Sequence, residues 1–195
     1  AIERVAALSY LRAHGAATVA KDAKESAGFF TLYRKDEKTW LAVRPDQLEK
    51  PFFFTWNIPA SVGERGLYAS QMGGSRLAVL RRNGNTLQLL AKNTRYFAKA
   101  DSPQARFVEE SFSDSLIASA PVASLPHPDT KAVLVEANAL FLSDMLAVGM
   151  LLQRTFRQSY GLDSRNSTIT AVRGSKDTTV IETLNHYYTG SVGMP

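Results

Sequence analysis

An α+β fold, mainly antiparallel sheet built from hairpins with two or three packed helices, is what this sequence predicts. Three observations carry it. Short runs alternate apolar and polar residues with a period of two. Turn-forming stretches such as Asn83-Gly84 lie between pairs of such runs. Helical stripes are few and do not alternate regularly with strands, as a parallel α/β fold would require.

Taken in chain order, Ile2, Val5, Leu8 and Leu11 recur at steps of three and predict an N-terminal helix, with Gly15 as its stop. Residues 16–27 are small and charged. Residues 1–27 therefore read as a helical lead-in, and 28–195 as a single β-rich α+β domain. From Gly28 the period becomes two. "FFTLYR" and "TWLAV" flank the charged "KDEK" as a hairpin. Phe30 and Leu32 give it the better core face, with Arg34 closing that face at the turn. Trp40 either covers that core or flanks Tyr33, depending on register. "PDQ" at 45–47 breaks the second strand, and "PFFFTWNIP" puts Phe52, Phe54 and Trp56 opposite Phe53, Thr55 and Asn57.

The glycine-rich stretch 61–75 lacks a period and reads as a loop. Asn83-Gly84 predicts a tight hairpin with Leu77, Val79, Leu87 and Leu89 on one apolar face. Ser102-Pro103 starts a helix whose stripe is Ala105, Val108, Phe112 and Leu116. Prolines 121, 126 and 128 make 120–130 a loop, and "AVLVEA" (132–137) a strand. Asp144 caps a further helix bearing Met145, Val148, Leu152 and Phe156, and "STITAV" with "TTVIETLNHYY" forms a last hairpin around "RGSKD".

A chain of 195 residues suits one domain. It lacks cysteine, which excludes disulfides, thiolate metal sites and a cysteine nucleophile. The longest strongly apolar run, "MLAVGMLL", is far short of the roughly 18 residues of a membrane span. Ala1 rather than Met opens the sequence, and "VAALSYL" reads as a helix rather than a signal peptide.

No residue stands out as catalytic, cofactor-binding or metal-ligating. HExxH is absent, and His14, His127 and His186 lie far apart. His127 beside Asp129 in "PHPD" reads as an exposed loop histidine, and His186, Tyr187 and Tyr188 alternate on a strand. There is no GxSxG elbow. "SFSDSL" reads as the polar side of a helix, and the adjacent acids Asp36 with Glu37, and Glu109 with Glu110, diverge on regular structure. Nucleic-acid binding is weighed because the formal charge is +5 and aromatics are plentiful. Yet Arg34 and Lys35, Arg81 and Arg82, and Arg154 and Arg157 are dispersed, whereas a stacking groove needs clustered charge.

Several long stretches carry a family likeness: "KDAKESAGFFTLYRKDEKTWLAVRPDQLEKPFFF", "GERGLY", "RRNGNTLQLLAKNTRY", "FSDSLIASAPVASLPHPDTKAVLVEANALFLSD" and "YGLDSRNS". In this order they resemble the non-catalytic N-terminal region, a domain of unknown function, of bacterial secreted or periplasmic zinc-dependent metallopeptidases of metzincin-like type. The likeness spans about residues 20–190. It implies an accessory domain that packs on, shapes or shields the cleft of a downstream catalytic domain. It also implies a zinc ion held in that other domain, a peptide or protein substrate, and a periplasmic or secreted location. No catalytic residue carries over, because the family's zinc ligands lie downstream of the matching region. The alternative expectation is a stand-alone binding module for an acidic partner: a polysaccharide, an anionic surface or a nucleic acid.

Overall fold

The computed structural model describes residues 15–190. The expected helix over residues 1–13 and His14 lie outside them. The described chain opens with a one-turn helix α1 (Ala16–Val19), then strands β1 (Lys24–Ser26), β2 (Thr31–Lys35) and β3 (Lys38–Val43). A 3-10 turn at Pro45–Gln47 leads to β4 (Phe52–Ile58), β5 (Gln71–Asn83) and β6 (Thr86–Ala91). Helix α2 (Pro103–Ser111), β7 (Ser115–Pro121), β8 (Val133–Glu136), α3 (Ala137–Phe141), α4 (Val148–Phe156), β9 (Gly161–Ser175) and β10 (Thr178–Tyr188) complete the order.

Two four-stranded antiparallel sheets, β1-β2-β3-β8 and β4-β5-β6-β7, share one core, and β9–β10 forms a separate two-stranded ribbon. A bridge between Val122 and Val135 joins the end of β7 to β8. Leu32, Leu41, Val43 and Val135 of the first sheet meet Leu80, Leu87, Leu89 and Ala120 of the second, with Leu140 of α3 and Ile169 of β9 completing the cluster. Full burial of one such leucine is worth about 1.5–3 kcal/mol.

The α+β expectation is overturned. Strands take 48% and helices only 16% of the structure, so the fold is β-rich. The helices are single turns or a pair of nine-residue pieces, and α2 buries none of its residues. The decisive difference is at 111–121. The helical spacing that runs to Leu116 ends at Ser111, and Ser115–Pro121 instead pairs with β6. As a strand beside β6 the segment places Ala118 and Ala120 in the core, burial that the exposed helix does not gain. Asp114 sets the break, because its Oδ1 accepts the Asn93 N–H and its Oδ2 accepts from Lys92 Nζ.

The 28–43 hairpin forms as the alternation requires. Phe30, Leu32, Leu41 and Val43 enter the core, and Arg34 donates to the carbonyl of Thr170. Register pairs Tyr33 with Trp40. Trp40 therefore flanks Tyr33 on the opposite face, where it packs with Ala16 and Leu134 under α1. Further back, β1 is hydrogen-bonded to β2 within the stretch read as lead-in.

The loop expected over 61–75 ends earlier, since β5 begins at Gln71. Its glycines hide the alternation for a physical reason: a Cβ on Gly73 would collide with the indole of Trp56 across the sheet. Glycine in a strand marks such a close approach. The hairpin near Asn83-Gly84 also forms, but Gly84 and Asn85 are its central residues, and only Gly84 has positive φ, at 57°. That is the type II′ pattern. The expected face of Leu77, Val79, Leu87 and Leu89 divides: Leu80 pairs with Leu89 on the core side, while Val79 pairs with Leu90 on the other.

Candidate functional site

Two grooves carry the chemistry that the described residues offer. The first, of about 500 Å³, lies between β5–β6 and the segment around α2. Ser102 caps α2 by accepting the Ala105 N–H at 3.1 Å, with Pro103 in the first turn. One wall is aromatic. Tyr96, Phe97 and Phe112 line it, Tyr96 stacks on Phe112 with centroids 4.0 Å apart, and Phe107, outside the lining, meets Phe112 edge-on at 6.3 Å. Arg95 lies 5.7 Å over the Tyr96 ring. Phe97 is 88% and Phe107 62% exposed.

The floor of this groove is charged and internally paired. Arg81 donates to both oxygens of Glu49, at 2.7 and 3.1 Å, and Lys92 donates to Asp114 at 2.8 Å. Partial burial pushes the Asp114 carboxyl up. The Lys92 hydrogen bond, the Asn93 N–H and the charges of Lys92 and Arg81 together outweigh it and hold the carboxyl below its usual range. The Arg81 hydrogen bond chiefly holds Glu49 low, against a smaller opposing push from burial. The floor is thus a satisfied ion cluster, and the unsatisfied surface is the aromatic wall.

The second groove, of about 700 Å³, lies between the β2–β3 turn, the start of α3 and β9. Asn138 holds the turn in place: its Oδ1 accepts the Thr39 N–H at 2.8 Å and its Nδ2 donates to the Glu37 carbonyl at 3.0 Å. Opposite, the β9–β10 register jumps, so that residues 164–167 bulge out facing Asn185 alone. Asp163 organises this excursion, accepting from the N–H groups of Arg165 and Asn166 and from Asn166 Nδ2. The Asn166 side chain is the main reason its carboxyl sits low; burial opposes it, and those N–H groups and the Arg165 charge add to the lowering. Ser167 Oγ donates to the Asp163 carbonyl and accepts the His186 N–H. Among the described residues, the buried side-chain polar atoms lacking a hydrogen-bond partner are Thr39 Oγ1 and Asn185 Oδ1.

The histidines play local parts. His127 Nδ1 accepts the N–H groups of Asp129 and Thr130, an ordinary turn. His186 pairs with Asp163 across the ribbon. Among the described residues no cluster of three or more His, Asp or Glu is placed to hold a metal ion. No helix of the described residues is long and apolar enough to cross a membrane. Away from the grooves, Arg44 pairs with Asp46 and Arg173 with Glu182.

Residues 70–192 of the 195 match a family described as a domain of unknown function, DUF5117. The chain belongs to the DUF5117 family. Its match spans β5 to β10, so the aromatic wall and the β9 excursion fall inside it, while the β2–β3 turn falls outside. No curated protein and no solved structure matches this DUF5117 chain. The family description supports the domain-of-unknown-function part of the likeness read from the sequence and names no activity. Neither groove could be assembled from sequence alone. The second brings together residues about 100 apart, such as Thr39 and Asn138. Of the aromatics between Tyr96 and Phe112 that surround the first, only Phe112 belongs to the helix stripe predicted from the sequence.

Proposed function

We propose that this DUF5117 chain is an accessory, non-catalytic domain of a zinc-dependent metallopeptidase. It packs through the aromatic wall on a catalytic domain elsewhere in the same polypeptide and shapes that domain's cleft. The observation that carries this is the exposure of Phe97 and Phe107 on a segment whose helix buries nothing. Tyr96 and Phe107 both meet Phe112, and Phe97 lines the same groove as Tyr96 and Phe112. Exposed apolar patches mark interaction surfaces. The long sequence stretches that resemble the N-terminal region of such peptidases supply the partner. Zinc and the catalytic glutamate belong to the other domain, and a periplasmic or secreted location goes with the same reading.

The test uses the native reading frame that contains these residues. The expected product cleaves casein, loses that activity to a chelator and regains it with zinc. Removing residues 1–195 changes its activity or its stability. Activity and stability untouched by that removal would sink the proposal, as would a native polypeptide without a zinc-peptidase motif.

A further inference from the structure

Strand β4 ends its sheet in a way that the packing role leaves unused. The order β4-β5-β6-β7 puts it at an edge, and β1 is the edge of the other sheet. The remaining outer strands, β7 and β8, are joined by the Val122–Val135 bridge. The two open edges are built differently. β1 is three residues long, and Lys24 and Glu25 charge it. Short, charged strands are how native proteins keep an edge from pairing. β4 reads Phe-Phe-Phe-Thr-Trp-Asn-Ile, seven residues without a charge. An uncharged aromatic edge of that kind is a template for another strand.

Hydrogen bonds along β5 fix which backbone groups of β4 face outward. The Lys92 N–H donates to the Leu77 carbonyl at 2.7 Å, so Leu77 turns toward β6. The Glu49 N–H donates to the Leu80 carbonyl at 2.9 Å, so Leu80 turns toward the β4 side. These directions alternate along a strand. Ala78 and Arg76 therefore bond their register partners Phe52 and Phe54, while Phe53, opposite Leu77, turns away. Thr55 and Asn57 follow Phe53, because the extra residue between Ser75 and Met72 lies on β5 and leaves β4 regular. The N–H and C=O groups of Phe53, Thr55 and Asn57 thus point at the open edge. Among the described residues β5 alone pairs with β4. The side chains of these residues are exposed as well, Phe53 at 82%.

Symmetry names the occupant. Pro51 and Pro59 bound the strand at equal distance from Thr55. Placed antiparallel to itself about Thr55, the strand sets Thr55 against Thr55 and Phe53 against Asn57. Those are the outward-facing residues, so every outward group finds a partner. Between them Phe54 meets Trp56 and Phe52 meets Ile58, cross-strand pairs of half-buried apolar side chains that stabilise a sheet. Each chain carries a formal charge of +5, yet the paired strands bring no like charges together.

We propose that β4 is the contact with a second copy of this chain. The two β4 strands pair antiparallel about a two-fold axis at Thr55, and the two β4-β5-β6-β7 sheets run on as one. The same edge is consumed on both copies, so the assembly closes as a dimer. Seven residues a side fall short of the roughly 20–30 of a tight complex, so the dimer depends on concentration. It leaves the aromatic wall free and stands or falls apart from the peptidase reading.

The experiment is sedimentation equilibrium of the 195-residue chain from micromolar to millimolar concentration, with amide hydrogen exchange at both ends of that range. Monomer is expected to pass into dimer. Exchange at Phe53, Thr55 and Asn57 should slow as concentration rises, whereas Phe52 and Phe54 are slow throughout. Thr55→Lys sets two like charges face to face, and Thr55→Pro removes an N–H that faces outward, where an edge strand tolerates proline. Each should weaken the dimer by roughly tenfold or more. Thr55→Lys keeps every bond to β5, so it decides the matter even if the proline variant fails to fold. A monomer at every concentration would overturn the proposal. So would an open series of larger species, an unchanged dimer in Thr55→Lys, or slowed exchange over residues 92–116 in place of β4.

Discussion

Tyr187 donates its phenolic hydrogen to Asp144 Oδ1 at 2.8 Å, tying the last strand to the start of α4. The same carboxylate accepts the N–H groups of Val148 and Gly149, at 2.7 and 3.0 Å. Asp144 thus satisfies two orphan donors of the helix and a half-buried phenol at once. Burial is the main reason the Tyr187 hydroxyl is pushed above the usual phenol range, and Asp144 adds to it.

Tyr187→Phe should therefore cost about 1–3 kcal/mol in urea unfolding at neutral pH, the worth of a hydrogen bond to a charged acceptor. The sign with pH follows from the raised folded value. The contribution is complete below the unfolded tyrosine pKa of about 10 and is lost as pH rises beyond it. The wild type should lose stability above pH ~10 more steeply than Tyr187→Phe. Some slope should remain in the variant, because burial and then Glu25 also raise Tyr33.

Gly73→Ala tests the close approach of Trp56. The added methyl has no room against the indole and the Trp56 carbonyl. Overpacking of this kind costs about 1–3 kcal/mol. The denaturation midpoint should fall, and the tryptophan emission should shift as the indole is displaced. Pairing the change with Trp56→Ala should recover part of the loss. A midpoint equal to the wild type would mean that β4 and β5 do not meet as described.

Asp114→Asn removes the charge that ends α2 and anchors the aromatic groove. Its carboxylate is mostly buried and paired with Lys92, so the expected cost is roughly 1–3 kcal/mol at pH 7. The folded pKa is depressed, so this contribution is present above the unfolded value of about 3.9 and lost as pH falls through the folded one. The gap between wild type and variant should narrow below pH ~4 in thermal melts.

Much of the fold was legible where alternation is local. Phe30 and Leu32 declared the core face of the first hairpin, and the two long runs before Tyr188 declared the last. What misled was spacing without context. Ala105, Val108, Phe112 and Leu116 fit a helix equally well, and only the pairing offered by β6 makes Ser115–Pro121 a strand. Gly73 and Gly74 conceal strand β5, because the side chain they make room for belongs to Trp56 on another strand. Helix α3 follows β8 directly and is too short to show a period. The second groove depends on contacts across about 100 residues and on a bulge in β9, neither of which leaves a local pattern.

The proposed packing surface is tested most directly by hydrogen exchange over residues 92–116, compared between this chain alone and a polypeptide that also carries the proposed catalytic domain. The account predicts slower exchange around Tyr96, Phe107 and Phe112 in the longer protein, reversed when Phe97 and Phe107 are both changed to serine. Identical exchange of that segment in the two proteins would contradict it.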